Sequence, residues 1–263
     1  MTVMDDDSAV EISNLVPASD LTTATEQWLV DGLITALPGL KMADLFAIRR
    51  DMFREADLVT VATAVPGGTA VGALASRWCA LPSGDEFLHV LTQFVGERYQ
   101  RGPVFRQSWG SHFTALGSVP DVIALKTYNP IVYCAMRAFT RIPGVTLYPE
   151  ITPGAGQDPV MARLAGQVAS AVGNAHAFVP QTGVISGIGV PRDLYPELPR
   201  SSSREANDYF AATARPGDRV LCVLRVPDRR AGGFILSAFG RAQHGDHHGD
   251  HHGEAGGEHV RGA

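Results

Sequence analysis

The chain has 263 residues, of which 45% are apolar and 19% charged, with a formal net charge of −5. That balance describes a folded globular chain rather than a disordered one, and the acid excess argues against binding to bulk nucleic acid. No apolar run approaches the roughly 20 residues of a membrane helix, and the start, MTVMDDDSAV, has no apolar leader segment. A cytoplasmic protein without membrane or nucleic-acid partners is expected. The three cysteines, Cys79, Cys134 and Cys222, stand far apart inside apolar stretches and read as reduced core thiols.

In chain order, Val10 to Ile12 predicts a short strand, and Asn14 to Asp20 breaks it. Thr23-Ala24-Thr25-Glu26 fits a capping box, and Trp28, Leu29, Leu33, Ile34 and Leu37 follow at helical spacing until Pro38-Gly39. A second helix is predicted from about Met42 to Arg54, with Arg49, Arg50 and Asp51 on its solvated side. Leu58 to Ala64 and Ala70 to Leu81 read as a hairpin turned by Pro66-Gly67-Gly68.

Phe87 to Leu116 organises the rest. Phe87, Leu88, Val90, Leu91, Phe94 and Val95 predict a strand. A polar turn, Gly96 to Gly102, follows, and Pro103 opens a helix that runs to Leu116. A glycine-bearing turn at a helix N-terminus can hold an anion, and Arg98 and Arg101 add cations to it. An ordinary strand–helix crossover with a solvated basic turn is the plain alternative. Val122 to Leu125 is a further strand. Asn129-Pro130 caps and opens another helix, and Val145 to Leu147 is again a strand. The strand–helix–strand unit predicts a parallel right-handed crossover within a mixed sheet flanked by helices.

Beyond Tyr148 the composition shifts. Thr152 to Asp158 is a linker, Asp158-Pro159 starts a helix to about Val172, and Gly183 to Pro199 is mostly loop. RVLCVLRV, Arg219 to Val226, is a strand, and Phe234 to Phe239 reads as one more. From Gly240 the chain is Gly, His, Asp and Glu, predicted to be disordered. Three regions follow: a core over 1–148, an extension over 149–239 with a closing strand at 219–226, and a tail over 240–263. The His-rich repeat from His244 to His259 suits weak, adventitious binding of divalent metal, and no structural metal site is expected.

The element order and two motifs resemble the GNAT superfamily of acyl-CoA N-acyltransferases. Val95-Gly96-Glu97-Arg98-Tyr99-Gln100-Arg101-Gly102 resembles the family's turn that grips the coenzyme A pyrophosphate, with one residue fewer. Val122 to Leu125, Asn129 and the helix bearing Tyr133 resemble its next unit, and EISNLVPASDL resembles its first strand and turn. The resemblance covers residues 9–148 and implies an α/β fold with a mixed, mostly antiparallel central sheet. It implies acetyl-CoA or another acyl-CoA as co-substrate, held near Phe94, Val95, Gln100, Arg101, Gly102, Val104 and Asn129. Three residues depart from the pattern: Val104 stands where a small residue belongs and is expected to crowd a pyrophosphate, Pro103 removes one N–H donor from the phosphate cradle, and Met136 stands where the family's tyrosine usually does.

Acyl transfer needs a held thioester, a base for the amine and an acid for the thiolate. Tyr133 is the candidate acid, with a core tyrosine as the alternative. His89 is the candidate base, by virtue of its intrinsic pKa, with a satisfied core histidine as the alternative. Glu97, acting through a water, is a second base, or a solvated turn carboxylate. Trp109 and His112 read as packing residues. The expected activity is transfer of an acyl group from an acyl-CoA or carrier-protein thioester to an amine of a small molecule. The rival is a fold of this type kept as a binding or assembly module, with the extension covering the cleft or forming a homodimer interface.

Overall fold

A computed structural model of the chain describes residues 9–100 and 102–240. Its elements are β1 (Val10–Leu15), α1 (Pro17–Asp20), α2 (Thr23–Ala36), α3 (Met42–Ile48), β2 (Leu58–Ala64), β3 (Ala70–Ala80), β4 (Glu86–Val95), α4 (Val104–Leu116), β5 (Val122–Thr127) and α5 (Pro130–Arg137). The extension adds β6 (Thr146–Tyr148), α6 (Pro159–Ala171), β7 (Phe178–Val179), β8 (Val184–Ile185), α7 (Arg204–Thr213), β9 (Arg219–Arg225) and α8 (Arg229–Gly240).

The strands form one sheet in the order β1-β2-β3-β4-β5-β9-β8-β7, with β6 also on β9. Every pairing is antiparallel except β4 with β5, the parallel crossover predicted from the central stretch. β9 is buried from Val220 to Leu224 without alternation, as befits a strand covered on both faces.

Alternation assigns the two faces. Leu74, Leu88, Val90, Ile123, Leu125 and Cys222 pack with Trp109 and Phe113 of α4, Tyr133 of α5, Phe210 of α7 and Ile235 of α8. On the opposite face Ala73, Ala75 and Phe94 meet Leu29, Leu33, Leu45 and Phe46 of α2 and α3. Farther along that face, Phe87, Ala124, Leu221 and Val223 meet Met161, Ala165 and Val168 of α6.

A polar network ties α4 to the sheet. The Thr60 hydroxyl donates to Asn14 Oδ1 (2.6 Å), so its oxygen accepts from His112 Nδ1–H (2.8 Å); Ser76 Oγ then donates to His112 Nε2 (2.7 Å). Asn14 Nδ2 donates in turn to Ser111 Oγ on α4 (2.9 Å). His112 is fully buried, and burial lowers its pKa to about 4. The neutral ring with one donor and one acceptor is therefore the native form.

Several boundaries differ from expectation. Thr22, not Thr23, caps α2, its Oγ1 accepting from the Thr25 N–H at 3.1 Å, while Glu26 pairs with Arg54 instead of closing a capping box. α3 ends at Ile48, and the chain to Arg54 is turn. Phe234 to Phe239 is helix, not strand. Asp228 Oδ1 accepts from the Ala231 N–H, and Ala231, Ile235 and Phe239 recur at intervals of four residues on the buried side. α7 is unforeseen in the sequence: Ser203 caps it, and its buried residues are Ala206 and Phe210. Asp158 caps α6 as expected, accepting from Val160 and Met161. The tail from residue 241, with its histidine repeat, and Arg101 lie outside the described residues.

Candidate active site

β4 and β5 pair only over Leu88–Val90 and Ile123–Leu125. At that point β4 carries a bulge. Ser76 opposes Val90 and Ala75 opposes Thr92, so Leu91 is the extra residue. A bulge bends its strand and adds twist, so β4 leans away from β5 and the two strands splay. Among the described residues, no strand pairs with the β5-facing edge of β4 after Val90. The two strands thus open into a V beyond Val90.

A cavity of about 140 Å³ sits in the splay. Its strand walls are Leu91, Thr92, Gln93 and Phe94 on one side and Lys126, Thr127 and Tyr128 on the other. The alternation sends Gln93, opposite Leu74, toward α4, and Thr92 and Phe94, opposite Ala75 and Ala73, toward α2 and α3. The Gln93 Nε2 is buried with no hydrogen-bond partner among the described residues. A buried orphan amide donor beside an unpaired strand edge fits a carbonyl-bearing guest.

The extension roofs the opening. Ile188, Val190, Leu194 and Tyr195 line the cavity. Their loop is anchored at both ends. Gly189 N–H donates to Gly217 O (2.7 Å) and Gly187 N–H to Asp218 Oδ1 (2.9 Å); at the other end Lys41 N–H donates to Leu194 O (3.2 Å), and Lys41 pairs with Asp193. The roof narrows the split but leaves it hollow. The Tyr195 and Tyr128 rings lie 6.1 Å apart, tilted at 45°, and burial raises the pKa of both phenols, so both stay protonated.

Among the described residues, three cations reach the cavity: Arg49 from the end of α3, Lys126 on β5 and Arg219 at the start of β9. Arg49, expected on a solvated face, has a side chain that is 41% exposed and also lines the cavity. Burial and then the neighbouring Arg49 and Arg77 lower the Lys126 pKa to about 8. No Asp or Glu lines the cavity among the described residues.

The three residues expected to do chemistry are not brought together here. Tyr133 is buried on α5, its hydroxyl donating to Pro149 O at 2.8 Å and its ring against Phe210 of α7. It lines a separate cavity with Arg137 and Glu150. His89 lies on the α6 side beside Arg77 and Ala124, just before the splay, and does not line the cavity. Burial, then Lys126, Arg77 and Arg49, lower its pKa to about 3, so it is a weak base. Glu97 Oε1 accepts the Gly39 N–H at 2.8 Å and so ties the turn after β4 to the α2–α3 loop.

The turn residues are also placed. Val104 is buried against Ala62 and Val71, so its side chain points into the sheet and the expected crowding of a pyrophosphate does not arise. A Cβ on Gly102 would meet only Tyr99 O, at 3.4 Å. Gln100 Nε2 donates to Val95 O (3.3 Å), Asn129 Oδ1 caps α5 at the Ile131 N–H (2.9 Å), and Val95 packs on Ala62, Val71 and Val104. Among the described residues, Phe94 alone of those expected to hold the cofactor lines the cavity.

Gln93, Lys126, Tyr128, Tyr195 and Arg219 were missed. A signal existed for Lys126, the one charge in the apolar strand VIALKT, and for Arg219, which opens RVLCVLRV. Nothing local marks Tyr195, which reaches the site only through the path of its loop.

No protein-family model matches the chain, and no curated protein does. Solved structures similar to it include a GNAT family N-acetyltransferase from Escherichia coli in complex with CoA, at 15% identity over 49% of this chain and 67% of that one, with a TM-score of 0.33. Another is a GNAT family acetyltransferase from Brucella melitensis in complex with acetyl-CoA, at 11% identity over 45% and 75%, with a TM-score of 0.34. A third is the catalytic domain of the Tetrahymena GCN5 histone acetyltransferase in complex with coenzyme A, at 17% identity over 55% and 80%, with a TM-score of 0.33. Nothing about substrate follows from likenesses of this extent.

Proposed function

We propose that the protein transfers an acyl group from an acyl-CoA thioester to the amine of a small molecule. The observation that carries this reading is the splay of β4 from β5 after Val90, with a hollow in it walled by an unpaired strand edge. The acyl-CoA supplies an activated carbonyl. Residues Leu91 to Phe94 would align it, with the orphan amide of Gln93 donating to a carbonyl oxygen. The turn from Gly96 to Gly102 and the start of α4 would face the phosphates.

Arg49, Lys126 and Arg219 set the state of the acceptor. Positive neighbours disfavour an ammonium ion, so an amine bound among them loses its proton to water more readily. That eases the need for a dedicated base, which neither His89 nor Glu97 supplies within the cavity. The acid for the departing sulfur is then a phenol of the split, Tyr128 or Tyr195, both kept protonated by burial. The volume, about 140 Å³, suits a small acceptor end rather than a polypeptide.

One observation favours the rival module reading: the loop through Ile188 to Tyr195 lies over the split. A single assay separates the two. Full-length protein with acetyl-CoA and a panel of small amines is expected to release free CoA thiol faster than with acetyl-CoA alone. Release that is independent of every amine would leave the module reading standing.

A further inference from the structure

We propose that the cavity holds the carboxylate of its ligand, so that the acceptor is an amine bearing an acid group, of the amino-acid class. The acceptor part of this rests on the acyltransferase reading; the carboxylate site does not.

The geometry is that of an anion site built from three elements. Arg49, Lys126 and Arg219 come from α3, β5 and β9 and converge on one small volume. Strand alternation puts Lys126, opposite Leu221, on the face of α2, α3 and α6, the same face as Arg77 opposite His89. Cations gathered with little counter-charge in a partly dry cleft are costly, because each disfavours the others.

The neighbouring carboxylates leave the excess in place. Glu55 lies 3.6 Å from Arg49 and 3.9 Å from Arg77, with all three side chains about 40% exposed, so these pairs contribute little. Asp218 keeps its charge beside Arg219, but both its oxygens accept from backbone, from Gly187 N–H (2.9 Å) and Arg215 N–H (3.0 Å). Arg219 donates from Nη1 to the Asp218 carbonyl (2.7 Å), and Lys126 reaches only Asn174 Oδ1 at a long 3.4 Å.

Gly189 is a second, independent sign. A Cβ there would sit 2.1 Å from Arg219 Nη1 and 2.3 Å from its Cζ. The roof loop thus presents bare backbone where the guanidinium passes, and any side chain would push the guanidinium aside. A small oxyanion spanning the guanidinium and the ammonium would meet charge-assisted donors, and a carboxylate fits a hollow of about 140 Å³.

The test uses the full chain at constant ionic strength with no acyl-CoA. Acetate is titrated against its neutral isostere acetamide, with inorganic phosphate as a second anion, and the thermal midpoint is followed. Acetate should raise the midpoint and acetamide should not. Lys126→Met and Gly189→Ala should each weaken acetate about tenfold; Gly189→Ala removes no charge and tests the placement of Arg219. Stronger protection by phosphate than by acetate would overturn the assignment to a carboxylate. No protection by acetate, or equal protection in wild type and both variants, would overturn the site. In the thiol-release assay, amino acids should outpace their own amides by about tenfold in kcat/KM, and Lys126→Met should erase that preference. Preference for the amides would overturn the acceptor class. Absence of turnover with any amine would count against acyl transfer, and the acetate titration would still decide the site.

Discussion

Lowering the pH from about 7 to about 4 is expected to remove roughly 6 kcal/mol of stability through His89 and His112. Both rings are buried and neutral, with pKa values lowered to about 3 and about 4, and for both the first cause is burial. Unfolded histidine takes up its proton near 6.5, so below that pH the unfolded chain binds more protons and stability falls. Above it both states are neutral, and the contribution vanishes. The loss continues down to the folded-state values, and it is comparable with the whole stability of many domains, about 5–15 kcal/mol.

The two histidines are separable. His112 has partners on both nitrogens, whereas neither nitrogen of His89 has one among the described residues. Replacing an unpartnered buried polar ring by an apolar one loses no hydrogen bond. His89→Leu is therefore expected to leave stability at pH 7 unchanged or higher and to flatten the acid slope by about half. Urea unfolding of wild type and variant from pH 7 to pH 4 reads this directly. Parallel pH dependences would show that His89 does not titrate as its burial requires.

The second large effect is on turnover. If a phenol in the split protonates the departing thiolate, the double variant Tyr128→Phe with Tyr195→Phe should lose about 10²-fold or more in kcat. KM for the acyl donor should change little, because neither hydroxyl is assigned to binding it. The two single variants then identify the donor: one should carry nearly the whole loss. The thermal midpoint controls for packing, since each ring is kept. Tyr133→Phe, by contrast, removes the hydrogen bond to Pro149 O and should act on stability, not on kcat. A double variant with wild-type kcat would remove the phenols from the mechanism.

Much of the frame was legible because it is written in local patterns. The parallel β4–β5 crossover followed from an apolar run, a glycine-bearing turn and a proline at the head of α4. Asn129-Pro130 and Asp158-Pro159 announced their helices by cap chemistry alone. The site was less legible, because three of its walls come from distant segments. Arg49 looks like any charge at the end of an amphipathic helix until the roof loop and β9 close around it. Tyr133 stood in a matching motif, yet α7, a helix with few sequence cues, packs over it. Val104 looked obstructive only because its direction was unknown. On the first turn of α4 it points down onto Ala62 and Val71, away from any ligand above.

Calorimetric titration of acetyl-CoA into the full chain tests the central claim most directly, with Gln93→Ala as the matched variant that removes the orphan amide donor. The account predicts saturable binding of one acetyl-CoA per chain in the wild type and clearly weaker binding in the variant. No heat of binding at millimolar acetyl-CoA, or equal binding in both proteins, would contradict a thioester site between β4 and β5.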